Sequence, residues 1–280
     1  MTVLLLSCPD RRGLVAATSG FIDQQGGNIT DADQHTDPVH DLFLQRIEFD
    51  LPEASSHEAF AAEFGELAAS LSMTWEMSEA TDRLRMAIMV SAEGHCLYDM
   101  LGRVAMGELN VDIPVVVSNH TAHRDITERF GVPFVHLPVD PQDKASQQAA
   151  VLDALQEAKV DLVIMARYMQ ILPASIIEAY PHRIINIHHS FLPAFIGAKP
   201  YHQAFERGVK LIGGTAHYAT VDLDQGPIIC QDVTPVSHRD SAERMVARGR
   251  DLEQTVLARA VHLHVERRVL SYANRTVIFD

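Results

Sequence analysis

The sequence predicts an α/β protein with two domains, a ferredoxin-like βαββαβ domain (residues 1–80) and a Rossmann-like domain with a mainly parallel sheet (residues 84–280). The chain has 280 residues, which is long for one domain and comfortable for two. Strand-like and helical periodicities follow the order βαββαβ up to residue 77, and strands alternate with helices after residue 84. A short polar stretch, residues 78–83, has no apolar periodicity and is the predicted domain boundary.

Composition narrows the possible partners of the chain. It is 47% hydrophobic and 21% charged, as expected for a soluble globular protein. The formal net charge of -14 argues against a nucleic-acid partner, because such binding needs clustered Lys and Arg, and favours a small metabolite. No signal peptide or membrane-spanning run is expected. Three well-separated cysteines, Cys8, Cys96 and Cys230, predict reduced, mostly buried thiols in a cytoplasmic protein.

The first domain begins with a predicted buried strand at residues 2–7, followed by a helix at 14–25 with apolar residues at helical spacing. Gly26 and Gly27 end that helix. Two strands are predicted next, at residues 28–36 and 42–49, followed by a helix at 55–71 and a strand at 73–77. This order defines the ferredoxin-like arrangement.

The second domain opens with an apolar strand at residues 85–91, and its alternating elements predict a parallel sheet with helices on both faces. The predicted helices are at residues 96–105, 122–130 and 144–157, and the strands at 112–117, 133–137, 161–165, 184–187 and 226–233. Residues 240–272 carry one apolar face and are interpreted as one or two helices that pack on the core.

The loop after the first strand of this domain, residues 91–95, has one glycine, Gly94, beside an acidic Glu93. A phosphate cradle needs glycines for close backbone approach and no neighbouring negative charge. The chain also has neither GxGxxG nor GxxxxGK[ST]. Nucleotide binding through these motifs is therefore not expected.

Two polar residues two positions apart, Asn186 and His188, end the apolar strand near residue 184, and Asp224 lies in a later Leu-Asp-Gln-Gly-Pro turn. Strand alternation places Asn186 and His188 on one face, at the sheet edge where ligands bind. An amide, an imidazole and a carboxylate together suit acyl transfer. The alternative is structural: a histidine at a strand end is often simply hydrogen-bonded, and Asp before Gly is ordinary turn chemistry.

The N-terminal stretch CPDRRGLVAATSGFIDQQGGNI resembles an ACT domain, a small regulatory module. The resemblance implies that an amino-acid effector binds near Asp10, Gly13, Leu14 and Asn28. Backbone N–H groups at the start of a helix can hold the carboxylate of such an effector. Methionine and glycine are the implied effectors, and a homodimer or homotetramer is the implied assembly. In the alternative interpretation Gly13 only permits a tight turn and the module only mediates oligomerisation.

The chain resembles the formyltransferase domain in three motifs: Asn-Ile-His, Ser-Phe-Leu-Pro and HYATVDLDQGPII. With the ACT-like segment, it resembles the formyltetrahydrofolate deformylase family in two further stretches, HHSFLPAFIGAKPY and YANRTVIF. This resemblance implies hydrolysis of 10-formyltetrahydrofolate to formate and tetrahydrofolate, with formate supplied to purine synthesis. It implies catalysis by Asn186, His188 and Asp224, with no metal or other cofactor. It also implies substrate binding by Met169, Gln170, Ile171, Leu172, Ala219, Thr220, Val221 and His189. Lys199 occupies a position where a small polar residue is expected, and it is assigned no role.

Three other interpretations stay open at this point. The first is a formyltransferase that uses an unidentified amine, although an acidic chain without a phosphate loop makes water the better acceptor. The second is a metal hydrolase, because histidines crowd one region: His182, His188, His189, His202 and His217. Their spacing matches no recognised ligand pattern. The third is a non-catalytic sensor that binds folate and an amino acid.

Overall fold

The computed structural model describes residues 1–53, 56–79, 81–194 and 200–279. The chain divides into two compact units: Met1–Asp82 together with Glu266–Asp280, and Arg83–Val265. The first boundary between the two units follows Asp82, within the polar stretch of residues 78–83 where the sequence predicts it. Within the described residues, no helix combines the length and the apolar character that a bilayer crossing requires.

The first unit has a four-stranded antiparallel sheet with strand order β2-β3-β1-β4, which confirms the predicted ferredoxin-like arrangement. Its elements are β1 (Thr2–Pro9), α1 (Leu14–Gln24), β2 (Asn28–Asp37), β3 (Leu42–Asp50), α2 (His57–Ser70) and β4 (Thr74–Glu79). Alternation along β1 places Leu4, Leu6 and Cys8 in one core with buried residues of α1 and α2. Leu5 packs in a separate cluster.

The second unit contains an eight-stranded sheet whose strand order is β12-β11-β10-β9-β5-β7-β8, with β6 paired to β5. Its strands are β5 (Leu84–Val90), β6 (Val111–Asp112), β7 (Val116–Ser118), β8 (Phe134–His136), β9 (Leu162–Met165), β10 (Ile184–His188), β11 (Leu211–Tyr218) and β12 (Ile228–Pro235). Its helices are α3 (His95–Ala105), α4 (Arg124–Arg129), α5 (Lys144–Glu157), α6 (Ala174–Ala179), α7 (Pro200–Glu206) and α8 (Ala242–Val265).

The centre of this sheet is parallel, as the sequence predicts, whereas β10–β11 and β11–β12 are antiparallel. Strand β5 is fully buried from Met86 to Val90, as expected for a strand covered on both faces. The strand predicted at residues 112–117 is instead two short strands, β6 and β7, separated at Ile113-Pro114 because proline cannot donate a ladder hydrogen bond.

The helical interpretation of residues 240–272 is wrong at its C-terminal end. Helix α8 ends at Val265, and β13 (Val269–Tyr272) and β14 (Arg275–Ile278) form a hairpin. Ala273 and Asn274 both have positive φ, at 41° and 59°, as a two-residue type I′ turn requires. The dipeptide Ala-Asn lacks the glycine that usually signals this turn.

The C-terminal segment belongs to the first compact unit, which differs from the predicted domain of residues 84–280. Phe279 is 1% exposed and packs in one cluster with Leu5 and Leu44. Arg46, whose side chain is buried, donates to the carbonyl oxygens of Glu266 and Arg267 at 3.1 and 2.9 Å. The hairpin therefore completes the hydrophobic packing of the small sheet.

Candidate active site

Asn186 and His188 lie on β10, at the carboxyl end of the parallel part of the sheet. Ile184, Ile185 and Ile187 of the same strand are buried, which fixes the register of the polar pair. Strand β10 pairs with β9 in parallel and with β11 in antiparallel fashion, so that Asn186 stands opposite His217. The predicted alternation therefore places both polar side chains on the same face.

Asp224 is far from His188 in sequence but contacts it in the fold. The His188 Nδ1 atom lies 3.2 Å from Asp224 Oδ1, and their side chains are 7% and 15% exposed. The hydrogen bond from His188 lowers the pKa of Asp224, although burial of the carboxyl group opposes this shift. Asp224 is thus a carboxylate near neutral pH, aligned with one ring nitrogen of His188. The other ring nitrogen, Nε2, is buried and has no hydrogen-bond partner among the described residues.

The turn that carries Asp224 closes tightly on β11. Asp224 itself has φ 57°, a left-handed conformation that Asp tolerates better than most residues. At Gly226 an added Cβ would lie 1.8 Å from the carbonyl oxygen of Tyr218, so any side chain would displace the turn. The Tyr218 N–H donates to Pro227 O at 2.9 Å. The glycine therefore sets the approach of Asp224 to His188.

His217 is a fourth residue of the site, and the sequence pointed to it only as one of the crowded histidines of the metal-hydrolase interpretation. Its Nδ1 lies 2.9 Å from Tyr218 O, so Nδ1 carries the proton and donates to that carbonyl. Its Nε2 is then free to accept from Asn186 Nδ2–H at 3.1 Å. Burial lowers the pKa of His217, which keeps it neutral for this role. His217 thereby orients the Asn186 amide and leaves one amide N–H for a substrate oxygen.

A slot opens beside these residues. Asn186, His217 and Asp224 line this slot. Six of the residues that the family resemblance implied for substrate binding also line it: Gln170, Ile171, Leu172, Ala219, Thr220 and Val221. Ile171, Val221 and Leu223 are 68%, 65% and 59% exposed, and large apolar side chains exposed around a concave polar site are typical of a ligand pocket. At this slot, exposed apolar side chains therefore border the polar groups of Asn186, His217 and Asp224.

Two further predicted substrate residues, Met169 and His189, line a different cavity of about 380 Å³, which we call the Arg167 cavity. The cavity is bounded by Arg167, His95, Tyr201 and Glu253, among others. Burial lowers the pKa of His189 to about 4, with Arg167 contributing, so this ring is neutral near pH 7. The rings of His188 and His189 are 5.1 Å apart between centroids.

A buried ionic network forms one wall of the Arg167 cavity. Glu253 on α8 is 1% exposed and accepts hydrogen bonds from Tyr201 Oη at 2.6 Å and His95 Nε2 at 2.8 Å. Arg167 Nε lies 3.5 Å from Glu253 Oε2. The sequence interpretation of α8 as core packing missed this carboxylate, because its partners are distant in sequence and no local pattern marks them.

His95, Cys96 and Glu253 offer atoms within 4.8 Å of one another that could ligate a metal. Glu253 is already engaged by Arg167, His95 and Tyr201, and burial raises the pKa of the Cys96 thiol. The group therefore fits an ion-pair network better than a cation site. All three cysteines are free and buried, as predicted.

The residues implied for regulation lie around the start of α1. Gly13 has φ 90° and precedes α1, whereas Leu14 is buried in the core and cannot present its side chain to an effector. Asp10 follows β1, and Asn28 opens β2. Lys199 lies outside the described residues.

Comparisons with known proteins match the whole chain. Residues 84–261 match the family model described as formyl transferase, and residues 2–56 match the ACT domain. A formyltetrahydrofolate deformylase of Synechocystis sp. is 50% identical over 99% of this chain and 97% of its own length. One from Bacillus subtilis is 46% identical over 99% and 93%. The crystal structure of a formyltetrahydrofolate deformylase from Pseudomonas syringae has a TM-score of 0.97 and 48% identity, covering 100% of this chain and 94% of that one.

Proposed function

The chain belongs to the formyltetrahydrofolate deformylase family, and we propose that Asn186, His188 and Asp224 catalyse its reaction. The chain hydrolyses 10-formyltetrahydrofolate to formate and tetrahydrofolate. The observation that carries the residue assignment is the 3.2 Å contact of Asp224 with His188 Nδ1, beside the Asn186 amide. It supplies an oriented base, His188, next to an oxyanion donor, Asn186, that lines the slot.

His188 accepts the proton of the attacking water in this mechanism. Asp224 holds the Nδ1–H, so that the lone pair of Nε2, which has no partner among the described residues, is left to act as the base. A water molecule adds to the formyl carbon and its proton passes to Nε2. The carboxylate of Asp224 stabilises the imidazolium that results.

Asn186 stabilises the tetrahedral intermediate. One N–H of its side-chain amide donates to His217. The other N–H donates to the oxyanion formed from the formyl oxygen. When the carbon–N10 bond breaks, its electron pair and the proton on His188 go to N10, which releases tetrahydrofolate. The formate carries the oxygen from water. Every step is a proton transfer or a bond change that these side chains support, so no metal or other cofactor is required.

The slot supports binding of the folate through both of its walls. Gln170, Ile171 and Leu172 come from the segment after β9 and Ala219, Thr220 and Val221 from the segment after β11, and both segments line the slot. We infer that the pterin ring stacks between them, with its polar edge bonded to backbone groups. His189 and Met169 line the Arg167 cavity and not the slot, so we propose that they contact the substrate from the side of that cavity.

Incubation of the purified protein with 10-formyltetrahydrofolate in ¹⁸O-labelled water tests this function. Hydrolysis predicts equal amounts of formate and tetrahydrofolate, with one labelled oxygen in the formate. A formyltransferase would give little formate in an amine-free buffer and more product when an amine is added. That outcome would mean that an amine, and not water, accepts the formyl group.

We infer that the first unit regulates the enzyme by binding small amino acids, with methionine and glycine as the effectors to test. The left-handed Gly13 at the start of α1 exposes backbone N–H groups that suit a carboxylate. Calorimetry of the full chain with each amino acid should give saturable heats. The absence of heat with both would remove this role.

We infer that the enzyme is a cytoplasmic homodimer or homotetramer that supplies formate for purine synthesis. Strand β2, ten residues long and mostly exposed, lies at the edge of the small sheet and offers unpaired backbone groups to a second copy. Three free buried cysteines fit a reducing compartment. Light scattering after gel filtration measures the subunit number, and a monomer at micromolar concentration would contradict the assembly.

A further inference from the structure

The Arg167 cavity contains hydrogen-bond donors that the reaction scheme leaves unused. Arg167 is a non-glycine residue with φ 64°, two residues after Met165, the buried end of β9. Its Nε and Nη1 atoms are buried, and neither has a hydrogen-bond partner among the described residues. A buried guanidinium with unmatched donors is costly unless a ligand or solvent satisfies it.

Helix α8 fixes this guanidinium through Glu253. Tyr201 lies so close to Gly249 that an added Cβ would be 2.2 Å from its ring, one turn before Glu253. The Tyr201 hydroxyl donates to one oxygen of Glu253, while Arg167 Nε lies 3.5 Å from the other. The carboxylate thus orients Arg167, which lines the cavity, while Nη1 keeps no hydrogen-bond partner among the described residues.

The cavity adjoins the reacting groups through His189. This ring lies 5.1 Å from that of His188 and 6.3 Å from that of Tyr201, between centroids. His189 lines the Arg167 cavity and not the slot, and the described linings of the two have no residue in common. A small molecule in the Arg167 cavity and a pterin in the slot would therefore not compete for the same residues.

We propose that the Arg167 cavity is a binding site for formate, which accepts a hydrogen bond from Arg167 and leaves the enzyme on this side. The proposal rests on the proposed hydrolysis for its identification of formate as the product. A carboxylate is the partner that a guanidinium binds best, and formate is the smallest one. The hydrogen bond to formate satisfies a donor that the protein leaves unmatched.

The charges around the cavity favour a small monoanion over phosphate. Glu253 and Glu93 both line it, and Glu93 already pairs with Arg250 at 2.7 Å. Two nearby carboxylates repel a dianion more strongly than formate.

The proposal predicts that formate and tetrahydrofolate bind together, since they occupy separate pockets. Titration of ¹³C-formate linewidths with the full-length protein measures formate binding directly, without turnover, with and without tetrahydrofolate. Sodium chloride keeps the ionic strength constant. If hydrolysis fails in the product assay, this measurement still reports whether Arg167 binds formate, so that the two failures are distinguishable.

Arg167→Gln should weaken formate binding by at least about tenfold, because a hydrogen bond from a charged donor is lost. Arg167→Lys keeps the positive charge, so its affinity for formate should fall less. The control Arg239→Gln changes an exposed arginine and should bind formate as the wild type does. Unchanged formate binding in Arg167→Gln would overturn the proposal. Should that variant not fold by circular dichroism, the wild type decides: no formate binding, or formate and tetrahydrofolate that exclude each other, also overturns it.

Discussion

Replacing Asp224 with Asn tests the role of the carboxylate with little change of shape. Asn tolerates the left-handed backbone at this position, where φ is 57°, so the turn should persist. At the 3.2 Å separation from His188 Nδ1, two unit charges attract by about 5 kcal/mol at an effective dielectric of about 20. Measured hydrogen bonds to charged groups retain about 1.5–3 kcal/mol of such attraction. We therefore expect kcat to fall by about 10- to 100-fold.

The assay is formate release by the purified variant, with Asp251→Asn as the control because Asp251 is an exposed carboxylate of the same unit. Asp224 has a lowered pKa in the folded protein, so its carboxylate contributes stability above the unfolded pKa and loses it as pH falls through the folded pKa. The difference in unfolding free energy between wild type and Asp224→Asn should shrink over that acidic window. A variant with unchanged kcat would refute the assignment of Asp224.

Three other substitutions follow from the site geometry. Asn186→Ala should lower kcat by at least about 10²-fold because it removes the oxyanion donor. The control Asn110→Ala changes an exposed residue and should keep the wild-type kcat, and a wild-type kcat in Asn186→Ala would count against the donor role. His217→Ala should cost about tenfold in kcat with little change in KM, since it orients the Asn186 amide, and an effect on KM alone would contradict this. Gly226→Ala should destabilise the protein by about 1–3 kcal/mol in urea unfolding, because the new Cβ overlaps Tyr218 O; an unchanged midpoint would argue against the clash.

The order of elements could be predicted from the sequence because each has its own hydrophobic period. The βαββαβ order and the mainly parallel sheet are both confirmed. The C-terminal hairpin could not be predicted, because residues 269–272 continue an apolar pattern and the turn at Ala273 has no glycine. Its place beside Leu5 depends on tertiary packing that local patterns do not encode.

The polar trio could be located from the sequence because Asn186 and His188 are neighbours on one strand. Distant partners were harder to find. His217 sits in a strand of buried residues, where a histidine gives no sign of which side chain it contacts. Glu253 lies on a long amphipathic helix, and only the fold brings it to His95 and Arg167. Such contacts between distant residues depend on the topology of the sheet.

The single-turnover rate of formate release by His188→Ala, measured beside its affinity for tetrahydrofolate, tests the catalytic role of this histidine most directly. Loss of the base should slow release by at least about 10²-fold and leave tetrahydrofolate binding nearly unchanged, because the slot walls remain. The exposed His238→Ala should behave as the wild type. Release at the wild-type rate by folded His188→Ala would contradict the proposal that this imidazole moves the proton.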